Sequence, residues 1–368
     1  MKSQATLKTL SLFGSTGSIG QQTLEVLRAF PGEFEVVGLT ALKNDELLAE
    51  QAAEFLPKSL PGQTFLSPTS DQIATLIATS DFVINAVPGF DGLAVSLAAV
   101  RAGKILLSAN KESFAIAGRF LREEAQKTGA EIRPLDSEAS AIWQLLTEGE
   151  LNKKKNALSS VTLTCSGGPF FGRKTADLQD VTIEEALAHP TWKMGQKVSI
   201  DSATLVNKVL EVYEVHHLFD IPLDKIDITI HRQSLAHSLI RLRSGATRLH
   251  VTQNDMRLFI SYALHFPNQP KCPWPIQRVG NSQLKFEDPD ADTFLPLKWL
   301  KMHAGNPNFP IILNAMNDLA VERFLGDKLT FLGIYDLIEA GLERFLWVKP
   351  PRNLEELLAF HEEIQGAF

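Results

Sequence analysis

Only two cysteines occur in the 368 residues, Cys165 and Cys272, and they lie far apart. That scarcity excludes a disulfide framework or a thiolate metal centre, and it suits a reducing compartment. Nine histidines are present, but neither the pair His216-His217 nor the spread of His231, His237 and His250 has zinc-ligand spacing. A basic surplus is missing too: 36 Lys and Arg stand against 43 Asp and Glu, giving a net charge of −7 and a pI near 5.8. Nucleic acid is therefore not an expected partner. No apolar run reaches bilayer-spanning length, and the opening Met-Lys-Ser-Gln-Ala-Thr holds no signal-peptide core. The expected location is cytoplasmic, with no membrane partner. Internal repeats and low-complexity tracts are also absent. What remains is 44% hydrophobic and 21% charged, with a mean hydropathy of −0.02. This is an ordinary soluble composition, long enough for two or three domains.

Along the chain, short apolar strands alternate with amphipathic helices through the first third. Strands are expected at 10–13, 34–39, 82–87 and 104–107, with helices after the first glycine turn, at 45–55 and at 93–100. This rhythm predicts an α/β fold whose N-terminal part is a Rossmann-like parallel sheet. Beyond about Pro134 the pattern changes. Strands at 160–165 and 226–231 and a hairpin over 239–251, turning at Ser244-Gly245, predict an α+β second domain. The proline- and asparagine-rich stretch 266–296 reads as a linker, and helical patterns at 311–325, 334–346 and 354–364 predict a small helical C-terminal domain. The expected boundaries are 1–135, 136–265, 266–296 and 297–368. Lys153-Lys154-Lys155 reads as a solvated loop.

Gly14, Gly17 and Gly20 follow the first strand directly and open a helix. In that setting the glycines permit tight turning and close approach to a pyrophosphate, and the helix N-terminus favours its charge. After the second strand, Lys43-Asn44 stands where an NAD enzyme presents a carboxylate to the ribose 2′-OH. A cation and an amide there suit the 2′-phosphate of NADPH. A second ligand-facing turn is expected at Ser108–Ser113, just past the strand at 104–107.

In Ser199–Glu211, Ser202 and Thr204 are expected to begin a helix on which Asn207, Lys208 and Glu211 share one face. Hydroxyl, amide and ammonium groups at a helix start suit a phosphate, whereas Glu211 repels one and suits a cation or a proton. The ordinary alternative is a capped amphipathic helix with a solvated ion pair. Asp136-Ser137-Glu138, after a short strand at 131–135, stands equally well as a helix cap or as a ligand pair. Together with Glu211 these acids make an all-oxygen set suited to Mg²⁺ or Mn²⁺.

Taken in order, Gly14–Gly20, Ala109–Ser113, Asp136–Glu138, Ser166–Phe170, His189–Gly195, Ser199–Glu211, Asp255–Arg257 and Leu313–Ala320 resemble the motifs of the 1-deoxy-D-xylulose 5-phosphate reductoisomerase family. The resemblance implies a homodimeric NADPH enzyme that needs a divalent metal. Its members rearrange and reduce 1-deoxy-D-xylulose 5-phosphate to 2-C-methyl-D-erythritol 4-phosphate in non-mevalonate isoprenoid biosynthesis. By motif position it implies metal ligands at Asp136, Glu138 and Glu211 and phosphate contacts at Ser166, Ser202, Asn207 and Lys208. Lys111, Ser137, Glu138 and His189 fall on positions that contact the substrate body, and Lys111, Glu138 and His189 are the catalytic candidates. Thr16, Gly17, Ser18, Ile19, Lys43, Asn44, Asn110, Glu112 and Gly195 fall on the NADPH site. The stretch 166–196 matches a closing lid, with Trp192 as the indole that covers the ligand. Three positions depart from the family pattern: Ala139 replaces a usual histidine, Leu42 a glycine and Phe259 a proline. Two other readings stay open on the residues alone. One is another two-domain NADPH oxidoreductase, which would not need three carboxylates; the other is a non-catalytic NADPH-binding paralogue.

Overall fold

The computed structural model describes residues 7–56, 63–147, 157–276, 280 and 283–368; the lysine run at 153–155 lies outside them. Two compact units emerge. One comprises residues 1–113, 121–140 and 255–275, the other residues 114–120, 141–254 and 276–368. Both are discontinuous in sequence, a different partition from the contiguous stretches drawn above.

The first unit begins β1 (Lys8–Phe13), α1 (Ser18–Ala29), β2 (Phe34–Ala41), α2 (Asp45–Phe55), β3 (Gln63–Leu66) and α3 (Ser70–Ala78). It continues β4 (Phe82–Asn85), α4 (Gly92–Arg101), β5 (Ile105–Ser108), the two ends of α5 (Lys111–Thr128, whose residues 114–120 belong to the other unit), β6 (Glu131–Pro134) and the start of α6 (Ser137–Thr147). The six strands are parallel in the order β3-β2-β1-β4-β5-β6. Strand order reverses between β1 and β4, and ligands of such sheets bind beyond the strand ends at that crevice. Burial is nearly continuous in β1 and complete in β4, as helix cover on both faces requires. Three of these elements, β3, α3 and α5, have no counterpart in the sequence reading. β3 is a four-residue edge strand with no fully buried residue, so it lacks an apolar run. α3 was readable, since Thr69 and Gln72 form a capping box ahead of buried Ile73, Leu76 and Ile77.

The second unit carries β7 (Leu158–Cys165), α7 (Ile183–Leu187), α8 (Gln196–Thr204), α9 (Val206–Phe219), β8 (Ile226–Ile230), β9 (Ala236–Leu242) and β10 (Thr247–Val251). Its sheet runs β10-β9-β7-β8, with β7 and β8 parallel and the other pairs antiparallel. The β9–β10 hairpin turns where expected, with Gly245 at φ 88°. Next in the chain, α10 (Met256–His265) belongs to the first unit and packs on α1. Four helices complete the second unit: α11 (Leu295–His303), α12 (Phe309–Leu325), α13 (Phe331–Phe345) and α14 (Leu354–Gly366). α11 lies in a stretch that was expected to be linker at its start and was not read as a helix.

One expectation about the site is corrected. Ser202 and Thr204 do not begin a helix; they end α8, and α9 starts afresh at Val206. Leu205 separates the two helices with φ 64° and ψ 12°, a left-handed conformation costing a bulky residue about 1–2 kcal/mol. Burial holds it there, because its side chain is only 2% exposed. The break places Asn207 and Lys208, rather than Ser202, in the first turn of a helix.

Candidate active site

In the first unit the glycine turn is built by close approach. Gly14 has φ +84°, and a Cβ there would lie 2.7 Å from the Ala86 carbonyl oxygen. A Cβ on Gly20 would lie 2.3 Å from the Gly14 oxygen, so only glycine lets α1 start against the end of β1. Gly17 is the N-cap of α1 and offers no side-chain cap, which leaves first-turn N–H groups without a side-chain acceptor. Gly17 and Ser18 are exposed, with Thr16 and Ile19 half-buried beside them. Lys43 and Leu42 are exposed past β2, while the Asn44 side chain caps α2 by accepting from Leu47 N at 3.1 Å. Asn110 and Glu112 are deeply buried. Asn110 Nδ2 donates to the Val87 and Gly89 carbonyls, each at 2.8 Å, and Glu112 accepts from Gly89 N at 3.0 Å. Both side chains therefore brace the loop that follows β4, beside the glycine turn.

Also in this unit, Lys111 Nζ donates to Asp136 Oδ2 at 2.5 Å, with both side chains 9% exposed. Asp136 Oδ1 accepts from the N–H groups of Glu138 (3.2 Å) and Ala139 (3.4 Å). The capping alternative is thus realised by one oxygen while the other meets an ammonium. Ser137 Oγ donates to Glu138 Oε2 at 2.6 Å, and ligand oxygens of Asp136 and Glu138 lie within 4.8 Å of each other. Two hard anionic donors at this spacing suit a divalent cation.

The second unit gathers hydrogen-bond donors and cations of a kind that suits an anion. His189 Nδ1 accepts from the N–H groups of Trp192 (2.9 Å) and Thr191 (3.3 Å), which fixes the ring proton on Nε2. Nε2 lies 3.0 Å from Ser166 Oγ and donates to it; the same oxygen accepts from Gly168 N at 3.1 Å. With two donors pointing at it, the Ser166 hydroxyl has its own hydrogen left to give. Burial, together with the positive charges of Arg232 and Lys208, pushes His189 down to about 4. Gly167 and Gly168 have φ +78° and +68°, values open to glycine, and a Cβ on Gly168 would lie 2.7 Å from the Ser202 carbonyl oxygen. On α9, Asn207 Nδ2 and Lys208 Nζ donate to the two oxygens of Glu211, so the shared face expected from spacing is present. Lys208 and Glu211 are almost fully buried, at 2% and 1% exposure. Trp192 is half-buried, its ring 6.1 Å from that of His237. Gly195 is the exposed N-cap of α8.

Two features escaped the sequence reading. Arg232, just past β8, donates from Nη1 to the carbonyls of Ser166 and Gly168, both at 2.9 Å. A cation at the carboxyl end of a strand was the available signal. Asp201, 1% exposed, accepts from Lys197 Nζ and Asn317 Nδ2, each at 2.7 Å, and Lys197 also meets Asp318 at 3.1 Å. This network ties α8 to α12 across more than a hundred residues.

Burial holds His250 and His361, like His189, down to about 4 from an ordinary 6.5. Each stays neutral when folded but takes up a proton below pH 6.5 when unfolded, so the unfolded chain binds more protons there. The melting temperature is expected to hold above about pH 6.5 and to fall steadily toward pH 4. Calorimetric melts across that range check it, and a flat profile down to about pH 5 contradicts it.

Family models for 1-deoxy-D-xylulose 5-phosphate reductoisomerase match residues 10–63 and 62–118, and its C-terminal domain models match 132–219 and 251–367. The chain is 42% identical over 367 residues to the reductoisomerase of Thermomicrobium roseum, covering 95% of this chain and 94% of that one. It is 41% identical to that of Clostridium perfringens, covering 92% and 93%. A crystal structure of DOX-P reductoisomerase with NADPH, fosmidomycin and magnesium superposes with a TM-score of 0.91 at 32% identity, covering 98% and 97% of the two chains. The Zymomonas mobilis enzyme with NADPH gives 0.86 at 31% identity, again covering 98% and 97%. With family models along most of its length and relatives above 40% identical over more than nine-tenths of both chains, the chain belongs to the 1-deoxy-D-xylulose 5-phosphate reductoisomerase family.

Proposed function

We propose that this chain rearranges 1-deoxy-D-xylulose 5-phosphate and reduces the product with NADPH to 2-C-methyl-D-erythritol 4-phosphate, using a divalent metal. The observation that carries this reading is the cradle of Ser166, His189, Lys208 and Arg232, which concentrates donors and positive charge for a phosphate. Relatives 42% and 41% identical bear the reductoisomerase name, and magnesium and NADPH occupy the related crystal structure.

Asp136, Glu138 and Glu211 are the metal ligands on this reading; three carboxylates fit Mg²⁺ or Mn²⁺ by donor chemistry. The bound ion would act as a Lewis acid on the substrate's oxygens. Ser166, Ser202, Asn207 and Lys208 hold the phosphate, with Asn207 and Lys208 in the first turn of α9. His189 positions Ser166 through its Nε2 proton; at neutral pH it has no charge to give and holds the backbone of Thr191 and Trp192. Lys111 presents its ammonium, and Ser137 its hydroxyl, beside Asp136 and Glu138. The stretch 166–196, with Trp192 over the substrate, serves as the lid, and the two left-handed glycines at its start are the positions where it turns. NADPH lies along the turn Thr16–Ile19 with Lys43, Asn44 and Gly195 around it, and Asn110 and Glu112 support the floor. A homodimer in the cytoplasm completes the proposal. Two free cysteines, and no helix among the described residues able to cross a membrane, accord with that location.

One assay tests the activity: oxidation of NADPH with 1-deoxy-D-xylulose 5-phosphate, with and without EDTA. Turnover that stops with chelator and returns with Mg²⁺ is expected. Metal-indifferent turnover would favour another NADPH oxidoreductase, and NADPH binding with no turnover a non-catalytic paralogue. For the cofactor, Lys43→Ala should raise the KM for NADPH about tenfold while leaving that for NADH unchanged, as loss of one ionic phosphate contact predicts. Equal changes for both cofactors would remove Lys43 from the 2′-phosphate.

A further inference from the structure

Three side chains on α9 that serve two different ligands in the proposed function are bonded to one another. Asn207 Nδ2 donates to Glu211 Oε1, and Lys208 Nζ donates to Glu211 Oε2. Both oxygens of the metal carboxylate are therefore held by the two phosphate donors, and Lys208 and Glu211 are buried from competing water. Buried at this depth, Lys208 gives up its partner only when another anion replaces it. A phosphate approaching the start of α9 meets donors already engaged, next to a like charge. A divalent cation on Glu211 changes both conditions, because it takes up the carboxylate charge and competes for the same oxygens.

We infer that Glu211 clasps the phosphate donors Asn207 and Lys208 until a divalent cation takes its carboxylate, so that metal and phosphate bind with positive coupling through α9. The inference rests on the reading of α9 as the holder of a phosphate and of one metal ligand. Coupling of binding free energies is reciprocal, so phosphate raises metal affinity by the same factor that metal raises phosphate affinity. Factors of about 5 to 150 are typical of such coupling. The clasp makes one prediction that plain attraction between a dication and a phosphate does not. Opening it without metal should itself improve phosphate binding.

The test is calorimetric titration of the NADPH-free full chain with inorganic phosphate, with and without Mg²⁺. Free Mg²⁺ is kept low enough to leave most phosphate uncomplexed. In the unaltered protein, Mg²⁺ should tighten phosphate binding at least about fivefold, and phosphate should tighten Mg²⁺ binding equally. Without metal, Glu211→Gln should bind phosphate more tightly than the unaltered chain and lose the Mg²⁺ dependence. Asp136→Asn, which removes a comparable charge but leaves the clasp shut, should bind phosphate as weakly as the unaltered chain. Equal gains in the two variants, or phosphate affinity indifferent to Mg²⁺ in the unaltered protein, would overturn the clasp. Lys208→Met separates the two levels of the argument. Unchanged phosphate affinity in that variant sinks the phosphate reading of α9 itself, and the clasp with it. Its loss, with no Mg²⁺ dependence in the unaltered chain, sinks only the clasp. The arm in the unaltered protein needs no variant to fold.

Discussion

Glu211→Gln is expected to lower kcat by about a thousandfold at ordinary Mg²⁺ while NADPH binds as before. The substitution preserves size and helix-forming shape but removes one of the three anionic donors proposed for the metal. Several kcal/mol of transition-state stabilisation depend on that ion, and every 1.36 kcal/mol corresponds to a tenfold change in rate. The substitution touches none of the residues proposed for the cofactor, so NADPH binding should be unchanged. The change also removes the Glu211 charge from beside the buried Lys208 ammonium, and breaking a buried ion pair can cost about 3–5 kcal/mol. Activity must therefore be read beside a melting curve, at a temperature where the variant is folded. Steady-state rates across a Mg²⁺ titration, with NADPH binding followed by fluorescence, make the measurement. Near-normal turnover at ordinary Mg²⁺ would remove Glu211 from the metal.

Lys208→Met is the second large effect. It keeps the buried aliphatic stem and deletes the ammonium, and the substrate KM is expected to rise about a hundredfold, equivalent to about 2.7 kcal/mol. kcat should fall as well, because phosphate binding remote from the reacting carbons supplies orientation for the chemical step. A KM for NADPH that stays constant distinguishes this outcome from general misfolding. Charge removal should also raise the His189 pKa above about 4, since Lys208 is one of the two cations that hold it down. Proton NMR of the imidazole reports that shift. An unchanged substrate KM would show that the phosphate sits elsewhere.

Most of what local sequence controls was legible. The expected helix at 45–55 coincides with α2, and the shared face of Asn207, Lys208 and Glu211 follows from spacings of three and four along a helix. The glycine turn was readable because its close contacts are made by neighbouring elements of one βαβ unit. The misplaced helix start at Ser202 has a different origin. Serine and threonine do suit an N-cap, but here Ser202 and Thr204 follow two turns that Gly195 and Gln196 begin, and nothing about Leu205 announces a left-handed residue. That conformation persists only because the surrounding core holds the side chain.

By itself, then, the chain's sequence determined the alternation of strands and helices, the glycine turn after β1 and the family, since each depends on residue type and short-range spacing. Only the folded structure decided that His189 carries its proton on Nε2, that Arg232 backs Ser166, that Asp201 anchors α8 to α12 and that Glu211 holds its own neighbours. The Arg232 and Asp201 contacts join residues 66 and 116 positions apart, and the His189 tautomer depends on how the backbone of Thr191 and Trp192 folds back on the ring. Periodicity carries no record of such meetings. The α9 pairing was possible from spacing, but burial, which no spacing encodes, turns a weak surface pair into one that a ligand must displace.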